Sequence, residues 1–329
     1  MDKNIYSFDK NESFIDKKTG IEIFNLKGFK TQSSDSSVIH LKGKYFAIKY
    51  GVHYGHLLID YLGPYLYLKK IYPDLQLIFF KYESSDIYFT CTKPSEDLVN
   101  FFNAKVIDLN KENYSFDEFI FFYREDLEIT GIPNLLKIDK NAKFILPIIP
   151  SRLFLNNFYY VDEHSETFIT YATEMLKNVY EYFAQYLIND NYYDKIYITR
   201  QINNKKTNLF SDQEWFKKSK ERYVSDSKEI IQKIKQKKYK IINLDGLGFF
   251  EQINIFYNAN IIVSQNGTGM INCLWAKESS QIFKIIKNSA YDYNWNSLIN
   301  SVNKHHIIDV DTIALNQKDS ISKILELIP

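Results

Sequence analysis

The spacing of apolar positions changes along this chain, and the change divides it. Residues 21–28 (IEIFNLKG) and 38–50 (VIHLKGKYFAIKY) are short apolar runs on either side of the Ser-rich stretch 33–37, a pattern that predicts strands joined by a turn. Over 54–72 the period becomes helical, with Leu57, Leu58, Tyr61, Leu62, Tyr65, Leu66 and Leu68 following the three-and-four spacing of one buried face. Runs at 75–80, 86–90, 104–109 and 118–123 then predict strands between polar stretches. Residues 144–150 (FILPIIP) carry two prolines, which suits an interdomain passage or an edge strand. A long helix is expected over 165–187.

Beyond it the alternation becomes regular. KIYITR (195–200) predicts a buried strand, and Ser211 and Glu214 have the spacing of a capping box that opens a helix. Strands are expected at 239–244, 260–265 and 281–286, helices at 249–259 and 270–276, and a turn at 266–269 (NGTG). Strand–helix alternation with short turns predicts a parallel, doubly wound sheet. A length of 329 residues exceeds what one core usually organises, so two domains are expected, 1–164 and 165–329.

Composition narrows the class. Hydrophobic residues are 45% and charged residues 25%, which excludes a disordered or fibrous chain. The net charge is +1, so no overall field favours nucleic acid, and none is expected as a partner. Cys91 and Cys273 make no disulfide framework. No apolar run reaches the roughly 18 residues of a membrane span, and the N-terminal MDKNIYSFDKNESF has no signal-peptide core. The expected location is cytoplasmic. Arg124, Arg152, Arg200 and Arg222 are the four arginines among 41 basic residues, so each stands out against the lysine-rich background.

Four groups of residues have chemical potential. Asn266, Gly267, Thr268 and Gly269 link an apolar strand to a helix that begins near Met270. Backbone amides in such a turn face a ligand, and a phosphate suits the helix N-terminus; the plain alternative is a tight turn with steric glycines. The turn is neither GxGxxG nor a Walker loop, which argues against a dehydrogenase. Arg200 ends a strand, where ligands of open α/β sheets bind, and Lys205 and Lys206 follow; a surface ion pair is the alternative.

The third group is His53, His56 and Asp60. Residues 56 and 60 share a helix face, the arrangement by which a carboxylate orients an imidazole for proton transfer. A metal site is weakly supported by so few ligands, and a surface ion-pair set competes. Gly63 and Pro64 interrupt the same apolar helix, and Pro64 has no N–H for the Asp60 carbonyl. Fourth, residues 205–240 hold 12 Lys/Arg against five Asp/Glu, a local excess of 12 − 5 = +7. That suits peripheral contact with an anionic membrane surface, or simply a solvated helix face.

Taken together, three ordered blocks resemble glycosyltransferase family 61, which includes bacterial capsule and lipopolysaccharide enzymes. HYGHLLIDYLGPYL (53–66) resembles the family's N-x-x-H-x-x-x-D helix and places His56 and Asp60 on its His and Asp. KIYITRQ (195–201) resembles its strand ending in Arg, at Arg200. LGFFEQINIFYNANIIVSQNGTGMINCLWA (247–276) resembles its run of EQ-containing helix, strand, HGAGL-like turn and Asn, placing Glu251, Gln252, Gly267, Gly269 and Asn272. The chain departs from the pattern at Asn266 (family His), His53 (family Asn), the second basic residue after Arg200 (Lys here, Arg in the family) and Lys284 (family Glu).

The resemblance implies a GT-B-like α/β fold, two Rossmann-like domains facing a cleft, with acceptor chemistry in the first and nucleotide-sugar binding in the second. It implies an inverting, metal-independent transferase with no cofactor beyond a nucleotide-sugar donor, UDP-linked, and a glycan or glycolipid acceptor. On this reading Arg200, Lys206, Glu251, Gln252, Asn272 and residues 266–270 belong to the donor side, His53 to the acceptor side. Either His56 is the base and Asp60 its support, or Asp60 is the base and His56 a substrate contact. The setting implied is surface polysaccharide synthesis at the inner face of a membrane. A non-catalytic nucleotide- or glycan-binding module on the same scaffold is the competing expectation.

Overall fold

The computed structural model describes residues 6–16, 21–31, 38–52, 54–81, 92–108, 113–124, 143–144, 166–190, 193–199, 228–265, 267–286, 295–303 and 305–311, with 326 and 329. They form a mixed α/β protein of two compact units, Met1–Tyr182 and Phe183–Pro329. The strand expected at 86–90 and the start of the capping-box helix after Ser211 lie outside the described residues. No described helix is long and apolar enough to cross a membrane.

The first unit is built on a seven-stranded sheet. Its strands are β1 (Tyr6–Asp16), β2 (Ile21–Thr31), β3 (Val38–Lys49), β4 (Gln76–Lys81), β5 (Lys105–Asp108), β6 (Asn113–Arg124) and β7 (Lys143–Phe144), in the order β5-β4-β3-β6-β2-β1-β7. β3 pairs in parallel with β4 and β6, and β4 with β5, whereas β2 runs antiparallel to β6 and to β1. The N-terminal strands are longer than their apolar runs suggested, because hairpin pairing carries β1 and β2 through polar positions such as Lys27 and Lys30.

A composite helix follows β3: α1 (Tyr54–His56), a π-helical stretch (Leu57–Leu62) and α2 (Gly63–Ile71). All seven apolar positions that predicted it are buried. The π stretch was not expected, and Pro64 accounts for it. An α-helix would need the Pro64 nitrogen to donate to the Asp60 carbonyl; lacking that proton, the chain widens to i→i+5 closure and starts α2 afresh with proline in its first turn. Among the described residues the unit also has α3 (Thr92–Phe102) and α4 (Glu166–Phe183), the latter burying Ala172, Met175, Leu176 and Val179.

The second unit holds five parallel strands: β8 (Lys195–Thr199), β9 (Lys240–Asn243), β10 (Ile261–Gln265), β11 (Gln281–Ile286) and β12 (His306–Asp311). Their order is β12-β11-β10-β8-β9. Connecting segments are α5 (Lys228–Gln236), α6 (Phe249–Asn258), a 3₁₀ segment (Thr268–Trp275) and α7 (Trp295–Val302). The central strands are apolar without alternation because both faces are covered. Tyr197, Val263, Phe283 and Ile285 pack with Ile234 of α5 and with Tyr239 on one face. The intervening residues, Ile196, Ile198, Ile262 and Ile282, point to the other face.

One polar row crosses that second face. Ser264, Lys284 and Asp309 are register neighbours on β10, β11 and β12. Lys284, 1% exposed, donates to Asp309 at 3.2 Å, and Asn296 Nδ2 reaches both Asp309 oxygens at 3.1 and 3.2 Å. The lysine that departs from the family pattern is thus paired across strands, with the first Asp of the 309–311 string as its counter-ion.

His305, buried just before β12, gives this unit a pH dependence. Burial pulls its pKa below the ordinary value, against the opposing influence of Glu278 and the Lys277 backbone. As pH falls through about 6.5 the unfolded chain takes up this proton first, so the folded state loses stability. Urea unfolding between pH 8 and pH 5 should show His305→Gln losing less than wild type below pH 6.5. The difference should grow by up to about 1.4 kcal/mol per pH unit.

Candidate functional site

In the second unit, position follows from strand order. The chain lays down β8, then β9 on one side, then returns past β8 to place β10, β11 and β12 on the other. Between β8 and β10 the direction of winding reverses, and open parallel sheets bind ligands beyond the carboxyl ends of strands at such a point. Ile198 pairs with Ser264 and Thr199 with Asn243, so the ends of β8, β9 and β10 are level. Arg200 follows Thr199 directly in sequence and Asn266 follows Gln265. Arg200, Lys205, Lys206 and Asn266 themselves lie outside the described residues, as does the side chain of Thr268.

The glycine turn is described from Gly267 onward. Gly267 has φ 135° and ψ −172°, a conformation essentially reserved for glycine. Its carbonyl accepts the Met270 N–H at 2.8 Å, a three-residue closure that sets the 3₁₀ pitch of Thr268–Trp275, where the spacing predicted an α-helix. Met270 is fully buried and its amide is used in that closure. At Gly269 an added Cβ would lie 3.4 Å from Leu244 Cδ1, 3.9 Å from Ile198 Cγ2 and 4.0 Å from Ser264 Oγ, which is ordinary packing. The two glycines therefore differ: backbone conformation demands the first, and packing does not demand the second.

Gln252 and Asn272 are joined. Asn272 Nδ2 donates to Gln252 Oε1 at 3.1 Å, and Gln252 Nε2 donates to the Leu247 carbonyl at 3.2 Å. Both side chains are buried, so they tie α6, the 3₁₀ segment and the 244–248 loop into one piece. Glu251, by contrast, is exposed in the first turn of α6. The 244–248 loop, which the apolar spacing does not mark as part of the site, joins β9 to α6. Asn243 Oδ1 accepts the Asp245 N–H at 3.0 Å and Gly246 has φ 87°, turn chemistry legible in the string NLDGLG after strand β9. That loop brings Leu244 against the glycine turn. Cys273 is no nucleophile: burial pushes its thiol pKa far up.

In the first unit, His56 is the last residue of α1 and Asp60 the fourth of the π stretch. Their backbone is described, their side chains are not, and His53 lies outside the described residues. The pair is therefore carried on a wider helical turn than the α-helix expected from its spacing. Short π-helical turns recur at functional positions in helices.

The family model described as Glycosyltransferase 61 matches residues 54–283. The chain belongs to this family. It is a glycosyltransferase, an enzyme with a sugar donor and an acceptor, and the match spans the helix of His56 and Asp60, the strand before Arg200 and the glycine turn. No curated protein matches the chain.

Proposed function

We propose that this glycosyltransferase moves a sugar from a nucleotide-sugar donor to a glycan or glycolipid acceptor, with inversion and without a bound metal, in surface polysaccharide synthesis. The observation that carries the donor assignment is the level alignment of the β8 and β10 ends at the winding reversal, one leading into Arg200 and the other into the glycine turn. Amides of residues 267–269 and the Arg200 guanidinium, assisted by Lys206, hold the diphosphate of a UDP-linked donor. The acceptor hydroxyl oxygen attacks the anomeric carbon, the bond from that carbon to the phosphate oxygen breaks, and the diphosphate leaves with the electron pair. The positive groups stabilise this leaving charge. His56 takes the hydroxyl proton and Asp60 holds the ring.

On this reading the enzyme has a GT-B organisation, with acceptor chemistry from the first unit and donor binding from the second. It works at the inner face of a membrane, where the basic 205–240 stretch meets anionic lipid. Exposed Lys235, Lys238 and Lys240 belong to that stretch.

A thermal-shift panel of UDP, GDP, CDP, CMP and NAD, with and without EDTA, tests the donor assignment. A ligand at 100 times its dissociation constant stabilises by about 2.7 kcal/mol, a readily measured melting shift. One diphosphate, UDP, should stabilise wild type equally with EDTA present and fail to stabilise Arg200→Ala. A panel in which no nucleotide moves the melting point overturns the assignment, and a shift abolished by EDTA overturns its metal independence.

A further inference from the structure

Gly63 sits where a glycine is costly, at the junction of the π stretch and α2 inside a buried helix. Its φ is not positive, so backbone freedom is not the reason. The reason is proximity. A Cβ built on Gly63 would stand 2.6 Å from Met175 Cβ, 2.8 Å from the Met175 carbonyl oxygen and 3.0 Å from the Leu58 carbonyl oxygen. Two of these are main-chain atoms and the third is fixed to one, so no rotamer change relieves the clash.

The helix has little room to retreat. On one side Tyr65 packs on Phe46 of β3 at 6.0 Å between ring centroids. Further along, Tyr65 meets Phe102 at 5.4 Å, Phe102 meets Tyr182 of α4 at 5.8 Å, and Lys70 pairs with Glu181 at 3.2 Å. With the C-terminal ends of α2 and α4 tied together in this way, a wedge at Gly63 acts as a lever. Non-bonded carbons settle at about 3.5–4.0 Å, so a methyl group there displaces the helix by about 1 Å, and the motion falls on the segment N-terminal to the wedge. That segment contains His56 and Asp60.

We propose that Gly63 is a positioning residue: its bare α-carbon lets the π-helical stretch that carries Asp60 seat directly on the Met175 backbone of α4, and this seating holds the His56–Asp60 segment in its working geometry. The inference rests on the assignment of His56 and Asp60 as the proton-transfer pair. Gly63 touches no substrate; it acts through the helix it belongs to.

Histidine-selective NMR titration of the full-length protein tests this without any substrate, with His56→Ala used to assign the His56 resonance. Asp60→Asn should lower the His56 pKa by about one unit, because the carboxylate of the proposed pair favours the charged ring. Gly63→Ala should shift it in the same direction by about half as much. Met175→Ile and Met175→Leu conserve volume, yet only isoleucine adds a branch at the Cβ that faces Gly63. The isoleucine variant should therefore reproduce the Gly63→Ala shift, and the leucine variant should titrate as wild type. This second comparison decides the matter even if Gly63→Ala does not fold. If Asp60→Asn leaves His56 unmoved, the proton-transfer pair itself is wrong. If Asp60→Asn moves it while Gly63→Ala or Met175→Ile does not, or if both Met175 variants move it equally, the positioning role is overturned.

Discussion

Replacing His56 by alanine is expected to lower the turnover number about 10²–10⁴-fold, the usual contribution of a positioned general base, while the donor dissociation constant stays within about threefold. A sugar hydroxyl is a poor nucleophile until its proton has somewhere to go, and the need for that acceptor is felt in the transition state. Removing the base should therefore depress kcat and kcat/KM together. Arg200 has the opposite profile. In the proposed mechanism it holds the diphosphate before and during bond cleavage, so Arg200→Ala should weaken donor binding as well as slow the reaction. The two variants are compared by calorimetric titration with the diphosphate that stabilises the protein and by steady-state rates. Equal losses of donor affinity in His56→Ala and Arg200→Ala would contradict this division of labour. Asp60→Asn adds the finer distinction: a loss smaller than that of His56→Ala makes Asp60 the support, and a larger one makes it the base.

The second large effect is expected at Gly267. Its φ of 135° with ψ near −172° is closed to residues carrying a Cβ, and holding one there costs about 1–3 kcal/mol. The chain has a cheaper course, which is to rotate residue 267 into an ordinary extended conformation. That rotation turns the carbonyl away from the Met270 N–H, removes the first closure of the 3₁₀ segment and redirects the amides that follow β10. Gly267→Ala should therefore lower the melting temperature and abolish the stabilisation by UDP that the proposed donor assignment expects. Gly269→Ala is the matched comparison, since its Cβ meets only ordinary contacts at 3.4 Å and beyond. It should melt within about 1 °C of wild type, a stability change of a few tenths of a kcal/mol, and it should lose donor affinity only if a ligand occupies the space beside residue 269. Equal destabilisation by both alanines would show that the turn's geometry is not set by Gly267.

Four of the five strands of the second unit, β8 to β11, and the helix α6 were legible in the sequence, as was the family. Strands such as KIYIT and QIFKII are continuous apolar runs because both faces of a parallel sheet are covered, and that local consequence is visible residue by residue. The ordered blocks around His56, Arg200 and the glycine turn were equally legible, since short motifs survive as strings. Strand order was not. Nothing in the string says that Ile261 pairs with Lys195 and Gln281 rather than with Lys240, yet this choice creates the winding reversal that brings two motifs to one edge.

The same limit applies at finer scale. Apolar spacing announced the helix of His56 but not its π stretch, which arises when a proline meets the hydrogen-bond ladder of a helix held between β3 and α4. The family resemblance puts Gln252 and Asn272 on the donor side, and only folding shows them bonded to each other in the interior. Lys284 reads as an oddity in an apolar strand until the register of β12 supplies Asp309. In each case the deciding contact joins residues far apart in the chain. Periodicity records which face a residue turns inward; which residue it meets there is settled by the packing of whole elements, and that was left to the tertiary structure.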